Sequence, residues 1–190
     1  MNGIKIIFLI YFSFLLLAFV ENKNTIAFGY PKNKNAVFTM NAGKFKTFKQ
    51  EWRGEDYYYL SENEEDSIIC SVLFYKLNKN EQLLLVEGPR QIFNFPESSP
   101  AYPLTYFSNY SNLKEFESDN RKWGDANGDF MFSESDIKEM QGTMVNQKNM
   151  NAYTMFGTDL FVNIHLSKIN YTKKDSIAMR EVLDGLVKKK

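Results

Sequence analysis

The stretch that most restricts the fold is Ser67 to Leu77, SIICSVLFYKL, because an extended chain turns alternate side chains to opposite sides. Ile68, Cys70, Val72 and Phe74 then point one way while Ile69, Ser71, Leu73 and Tyr75 point the other, and both sets are mostly apolar. Such a strand needs cover on both faces. Runs rich in β-branched and aromatic residues also occur at AVFTM (36–40), DYYYLS (56–61), LLLVE (83–87), RQIFNF (90–95), NMNAYTMFG (149–157) and DLFVNIHLSKI (159–169), and each predicts a strand. The last alternates cleanly, with Leu160, Val162, Ile164 and Leu166 on one face and Phe161, Asn163, His165 and Ser167 on the other. Between these, NKNEQ (78–82) reads as a polar hairpin turn and PESSPAYP (96–103) as a proline-rich loop.

Two helices are expected. Asn112 and Glu115 have capping-box spacing before a segment in which Leu113, Phe116 and Trp123 share a face and which Gly124 ends. Thr172 and Asp175 repeat that spacing before a helix with Ile177, Met179, Val182, Leu183 and Leu186 on its core face. Strands, a helix, more strands and a closing helix predict the α+β class, an antiparallel β-sheet flanked by helices. The closing strand and helix, DLFVNIHLSKINYTKKDSIAMREVLDGL (159–186), resemble the end of the PsbP and Mog1-like α/β/α sandwich. That resemblance implies a fold whose members mostly act as non-enzymatic binding or assembly factors on larger complexes, and it brings no catalytic residues with it.

Residues 1–27 are expected to be a secretory signal peptide. Lys5 precedes an unbroken apolar run from Ile6 to Val20, too short for the roughly 20 residues that a membrane-spanning helix needs. Small residues suited to signal peptidase stand at Thr25 and Ala27, for a cut before Phe28, or at Ala27 and Gly29, for a cut before Tyr30. FGYPKNKN (28–35) then reads as a flexible lead, and residues 36–190 as a single domain. Secretion or a periplasmic location follows, with membrane attachment only if the leader stays uncleaved. No cysteine stands directly behind the apolar run to carry a lipid.

Charge and cysteine content exclude several functions. Lys plus Arg number 23 against 23 Asp plus Glu, which gives no net attraction to nucleic acid. Cys70 is the only cysteine, so neither a disulfide framework nor a thiolate metal cluster can form, and the chain must be held by its apolar core.

The segment Asp125 to Asp136, DANGDFMFSESD, resembles the calcium loop of EF-hands and dockerins. Asp125, Asn127, Asp129, Ser133 and Asp136 take its positions 1, 3, 5, 9 and 12, and a hard cation such as Ca2+ requires oxygen donors there. Phe130 stands where the loop's glycine belongs, and no second loop accompanies it. The competing reading is a solvated Asp/Asn/Gly turn with no cofactor, in which Ser133 caps the next segment. His165, the only histidine, could act as a base or pair with Cys70, although Cys70 sits on an apolar face. Tyr102, Tyr106 and Tyr110, around the proline loop, offer an aromatic ligand surface, and Tyr57, Tyr58 and Tyr59 divide between core and surface. The expected function is that of an exported non-enzymatic binding or assembly protein, with Tyr102, Tyr106 and Tyr110 seating a protein or small ligand in the envelope or outside the cell. A calcium-binding adhesion or assembly module and a secreted hydrolase, with carboxylates converging near His165, are the alternatives.

Overall fold

The two-sided strand organises the molecule. In the computed structural model, which describes residues 25–41, 43, 45, 47–63, 67–83, 85–86, 92–93, 98–101, 116–118, 121–125 and 129–189, it lies near the middle of a large antiparallel sheet. The elements are β1 (Thr25–Tyr30), β2 (Asn33–Asn41), β3 (Lys49–Arg53), β4 (Asp56–Asn63), β5 (Ile68–Lys76), α1 (Lys79–Leu83), β6 (Leu85–Val86) and β7 (Ile92–Phe93). They continue with β8 (Phe116–Ser118), β9 (Arg121–Asp125), β10 (Met131–Met140), β11 (Thr143–Phe156), β12 (Leu160–Ile169), α2 (Lys173–Asp184) and β13 (Val187–Lys188).

Two chain-local meanders, β3-β4-β5 and β8-β9-β10-β11-β12, make the large sheet, and pairing of β5 with β12 joins them in the order β3-β4-β5-β12-β11-β10-β9-β8. Tight turns account for the meanders. Met140 pairs with Thr143 across Gln141 and Gly142, both at positive φ (52° and 79°), the backbone hand that suits a two-residue hairpin. Arg53 and Asp56 pair across Gly54, which also has positive φ.

The core lies on one face of this sheet, against the small sheet β1-β2-β13 and the helix α2. Cys70, Val72 and Phe74 of β5 line up there with Leu166, Ile164 and Val162 of β12. Phe38 of β2 joins the layers, its ring 6.1 Å from both Phe74 and Phe130 and 5.2 Å from Phe28 of β1. Tyr57 and Tyr59 turn into this cluster, whereas Tyr58 lies on the other face with the Arg53 guanidinium over its ring. In α2, Thr172 and Asp175 form the expected capping box, and Met179 and Leu183 are buried, but Ile177 is exposed instead of facing the core.

Toward α2 the core face turns ionic. Lys148 Nζ lies 3.0 Å from Asp136 and 3.8 Å from Glu134, Arg180 of α2 reaches Glu134 at 3.4 Å, and Lys168 lies 3.5 Å from Asp175. Burial alone would raise the Asp175 pKa, but hydrogen bonds from Thr172 and the charge of Lys168 outweigh it and hold the carboxyl below its usual range. These pairs fix the helix on the sheet.

Several expectations are corrected. The chain is not an α+β sandwich of the PsbP and Mog1-like kind with an antiparallel β-sheet flanked by helices. Its described residues are mostly antiparallel strands with two helices, and the layer facing the large sheet is itself largely a sheet. The flexible lead at 28–35 is instead part of β1 and β2, with Phe28 and Tyr30 buried. The helix expected before Gly124 is replaced at 116–125 by the hairpin β8–β9, whose inner strand β9 pairs with β10, so that inter-strand bonds win over a weak helical pattern. NKNEQ contributes the short helix α1 rather than a simple turn.

Phe38→Ala should cost about 3–5 kcal/mol because it opens a cavity where the two layers meet, whereas Ile177→Ala on the exposed side of α2 should stay within about 0.5 kcal/mol. Urea unfolding of the two variants measures both. A Phe38→Ala chain as stable as the parent would refute the assigned joint.

Candidate binding face

The same pleat that sends apolar residues into the core presents a different chemistry on the opposite face. In cross-strand register, Ser133 of β10 pairs with Asn151 of β11, Asn151 with His165 of β12, and His165 with Ser71 of β5. These four lie in one transverse row. The row to one side contains Tyr153, Asn163 and Leu73, and the row to the other side contains Asn149, Ser167 and Ile69. Two-residue periodicity therefore places amides, hydroxyls and an imidazole together on a patch four strands wide.

Hydrogen bonds order part of the patch. The Ser133 and Tyr153 hydroxyls lie 3.2 Å apart, Gln147 Nε2 donates to Asn149 Oδ1 at 2.8 Å, and His165 Nε2 lies 3.2 Å from the same Oδ1. Ser133, Asn149, Tyr153 and Ser167 are buried, while Ser71, Asn151, Asn163 and His165 are half-buried. Asn163 Oδ1 is buried and has no hydrogen-bond partner among the described residues, a costly state for an amide oxygen. Burial lowers the His165 pKa below its ordinary 6.5, so the imidazole is neutral at pH 7. The patch can donate and accept hydrogen bonds without carrying charge.

A second polar knot closes one end of this face. Glu81 of α1 is buried. Its carboxylate accepts hydrogen bonds from the Tyr75 hydroxyl at 2.9 and 3.0 Å, from Ser99 Oγ at 2.5 Å and from the Asn78 backbone N–H at 3.0 Å. Burial, together with the bond to Glu81, pushes the Tyr75 hydroxyl up to about 12. The knot ties β5, α1 and residues 98–101 together, and its Asn78 to Glu81 capping spacing is readable in the sequence.

The other candidate residues fall elsewhere. Cys70 pairs with Leu166, next to His165 along the chain, but its side chain lies in the core and His165 lies on the opposite face. Pleat parity separates the two, and burial pushes the thiol up, away from its reactive form. Within the calcium-like segment, Asp125 ends β9 and pairs with Met131 through the backbone. Asp129 is exposed beyond it, and its carbonyl accepts from Thr154 Oγ1 at 2.7 Å. Ser133 and Asp136 both belong to the extended strand β10. Ser133 faces Tyr153, and Asp136 turns to Lys148 on the core face, so these two donors do not converge. Asn127, Tyr102, Tyr106 and Tyr110 lie outside the described residues. Among the described residues, no three His, Cys, Asp or Glu side chains gather in a way that could hold a metal ion.

No family model matches this chain, and no curated protein matches it significantly. Among solved structures, a protein from Bacteroides thetaiotaomicron VPI-5482, with a crystal structure at 1.50 Å resolution, aligns with 13% identity and a TM-score of 0.41. The alignment covers 86% of this chain and 48% of that one, so the chain spans about half the length of its structural neighbour.

Two outcomes follow from this geometry. Because His165 binds a proton less readily in the folded than in the unfolded chain, its contribution to stability is whole above pH 6.5 and is lost as pH falls through the lowered folded value. His165→Gln removes that titration, so the gap in melting temperature between variant and parent should shift in the variant's favour on acidification. A gap independent of pH would show that His165 is not buried as described. The Cys70 thiol should not react with Ellman's reagent in the native protein and should react fully in denaturant, and rapid native labelling would place it outside the core.

Proposed function

We propose that this chain is an exported, non-enzymatic binding or assembly protein that recognises an uncharged, hydrogen-bonding ligand with the half-buried patch around Asn151 and His165. The supporting observation is the row Ser133, Asn151, His165 and Ser71, whose members all donate and accept hydrogen bonds, while Glu134 and Asp136 on β10 turn to the other side of the sheet. A Cys–His nucleophilic pair has no support here: the His165 imidazole lies against the Asn149 amide, and the Cys70 thiol is buried on the opposite face of the sheet.

Export rests on the apolar leader from Ile6 to Val20. No helix among the described residues is long and apolar enough to cross a membrane.

Thermal-shift titration with neutral oligosaccharides, neutral peptides and their carboxylated counterparts tests the binding reading. A neutral compound should raise the melting temperature of the parent and fail to do so with Asn151→Ala, whose own stability should change little. Stabilisation by charged compounds alone, or hydrolysis of any compound in the set, would overturn it.

A further inference from the structure

Strand β1 begins at Thr25, close behind the apolar leader, and both small-residue pairs suited to signal peptidase, Thr25 with Ala27 and Ala27 with Gly29, lie within it. That strand is part of the folded core. Ile26 pairs with Met40, Ala27 with Thr39, Phe28 with Phe38 and Gly29 with Val37. The Phe28 ring has no exposed surface; it stacks on Phe38 at 5.2 Å and meets Phe48 and Tyr59 edge-on at 4.9 and 5.1 Å. The Tyr59 hydroxyl closes the outer edge of the strand at Gly29, donating to its carbonyl at 2.8 Å.

Signal-peptide removal is a hydrolysis. One water is consumed, the peptide C–N bond breaks, the leader leaves with a carboxylate and the mature chain gains an ammonium. A cut before Phe28 would delete half of β1 and put that ammonium on a residue fully enclosed in the intact fold, where an unpaired charge is costly. A cut before Tyr30 would remove Phe28 itself and leave a cavity against Phe38. We propose that the exported chain keeps β1 whole, with its amino terminus at or before Thr25, so that the two small-residue pairs inside the strand are not used for processing. This rests on the export reading. Either the leader is cut ahead of the strand, within or before Glu21 to Asn24, or it stays attached; in both cases the aromatic joint is complete when the protein folds.

The test is to express the full chain, separate cytosol, membrane and exported fractions, and determine the amino terminus in each by intact mass and terminal sequencing. Ala27→Leu is the matching variant: it removes the small residue both pairs share, and Ala27 is exposed, so the fold tolerates it. Exported or membrane-held chains starting anywhere from Met1 to Thr25, with an unchanged terminus in Ala27→Leu, are expected. A folded exported chain starting at Phe28 or Tyr30, or a terminus that moves in Ala27→Leu, overturns the inference and leaves the export reading standing. Full-length chain confined to the cytosol overturns both.

Discussion

Everything in this molecule depends on the seam between β5 and β12. Eight consecutive residue pairs, from Leu160 with Lys76 to Ser167 with Ile69, join two meanders that each form from nearby chain. The seam is the long-range contact, with the larger loop-closure cost, and it also sets the parity of every other strand in the sheet. A slip of one residue would turn His165 and Asn163 into the core and Ile164 and Val162 out of it, so the apolar layer holds the register and the register holds the polar patch.

The two faces of the sheet handle polarity in different ways. Toward α2, the core face ends in opposite charges that are paired across elements, with Lys148 between Asp136 and Glu134 and the Tyr171 ring nearby. Burying such a set is tolerable because each charge has a partner, and the set specifies where the helix sits more than it adds stability. In the patch around Asn151 and His165 on the other face the described groups are neutral, and the buried carboxylate at its end, Glu81, has its hydrogen bonds filled by Tyr75, Ser99 and Asn78. Recognition by such a surface depends on hydrogen-bond geometry, which an ordered sheet supplies.

Much of the strand content is legible in the sequence. The runs at 36–40, 56–61, 67–77, 149–157 and 159–169 all fall in strands because side chains on a buried pleat repeat every two residues. The closing helix is equally legible from its Thr172 and Asp175 cap. β10 is not, because MFSESDIKEM has few apolar residues: its inward positions include Glu134 and Asp136, which are satisfied by Lys148 and Arg180 from other elements. β1 is hidden for another reason, since Thr25 to Ala27 read as the end of the leader and Phe28 to Tyr30 as the start of a flexible lead. Of the polar patch, the half on β12 is visible in the alternation around His165, whereas Asn149, Asn151, Ser71 and Ser133 join it only through pairing between distant strands.

The sequence by itself determined that the runs in β2, β4, β5, β11 and β12 are extended, which side of β12 is apolar, where the last helix starts, and that no disulfide within the chain could hold it. Those properties follow from local alternation, capping chemistry and residue counts. Only the tertiary structure decided that the second layer is a small sheet built from both ends of the domain, that Cys70 and His165 lie back to back, and that Ser133 and Asp136 part company. Layering and register depend on contacts between residues far apart in the chain, and the free energy of such contacts belongs to the pair and not to either residue's local pattern.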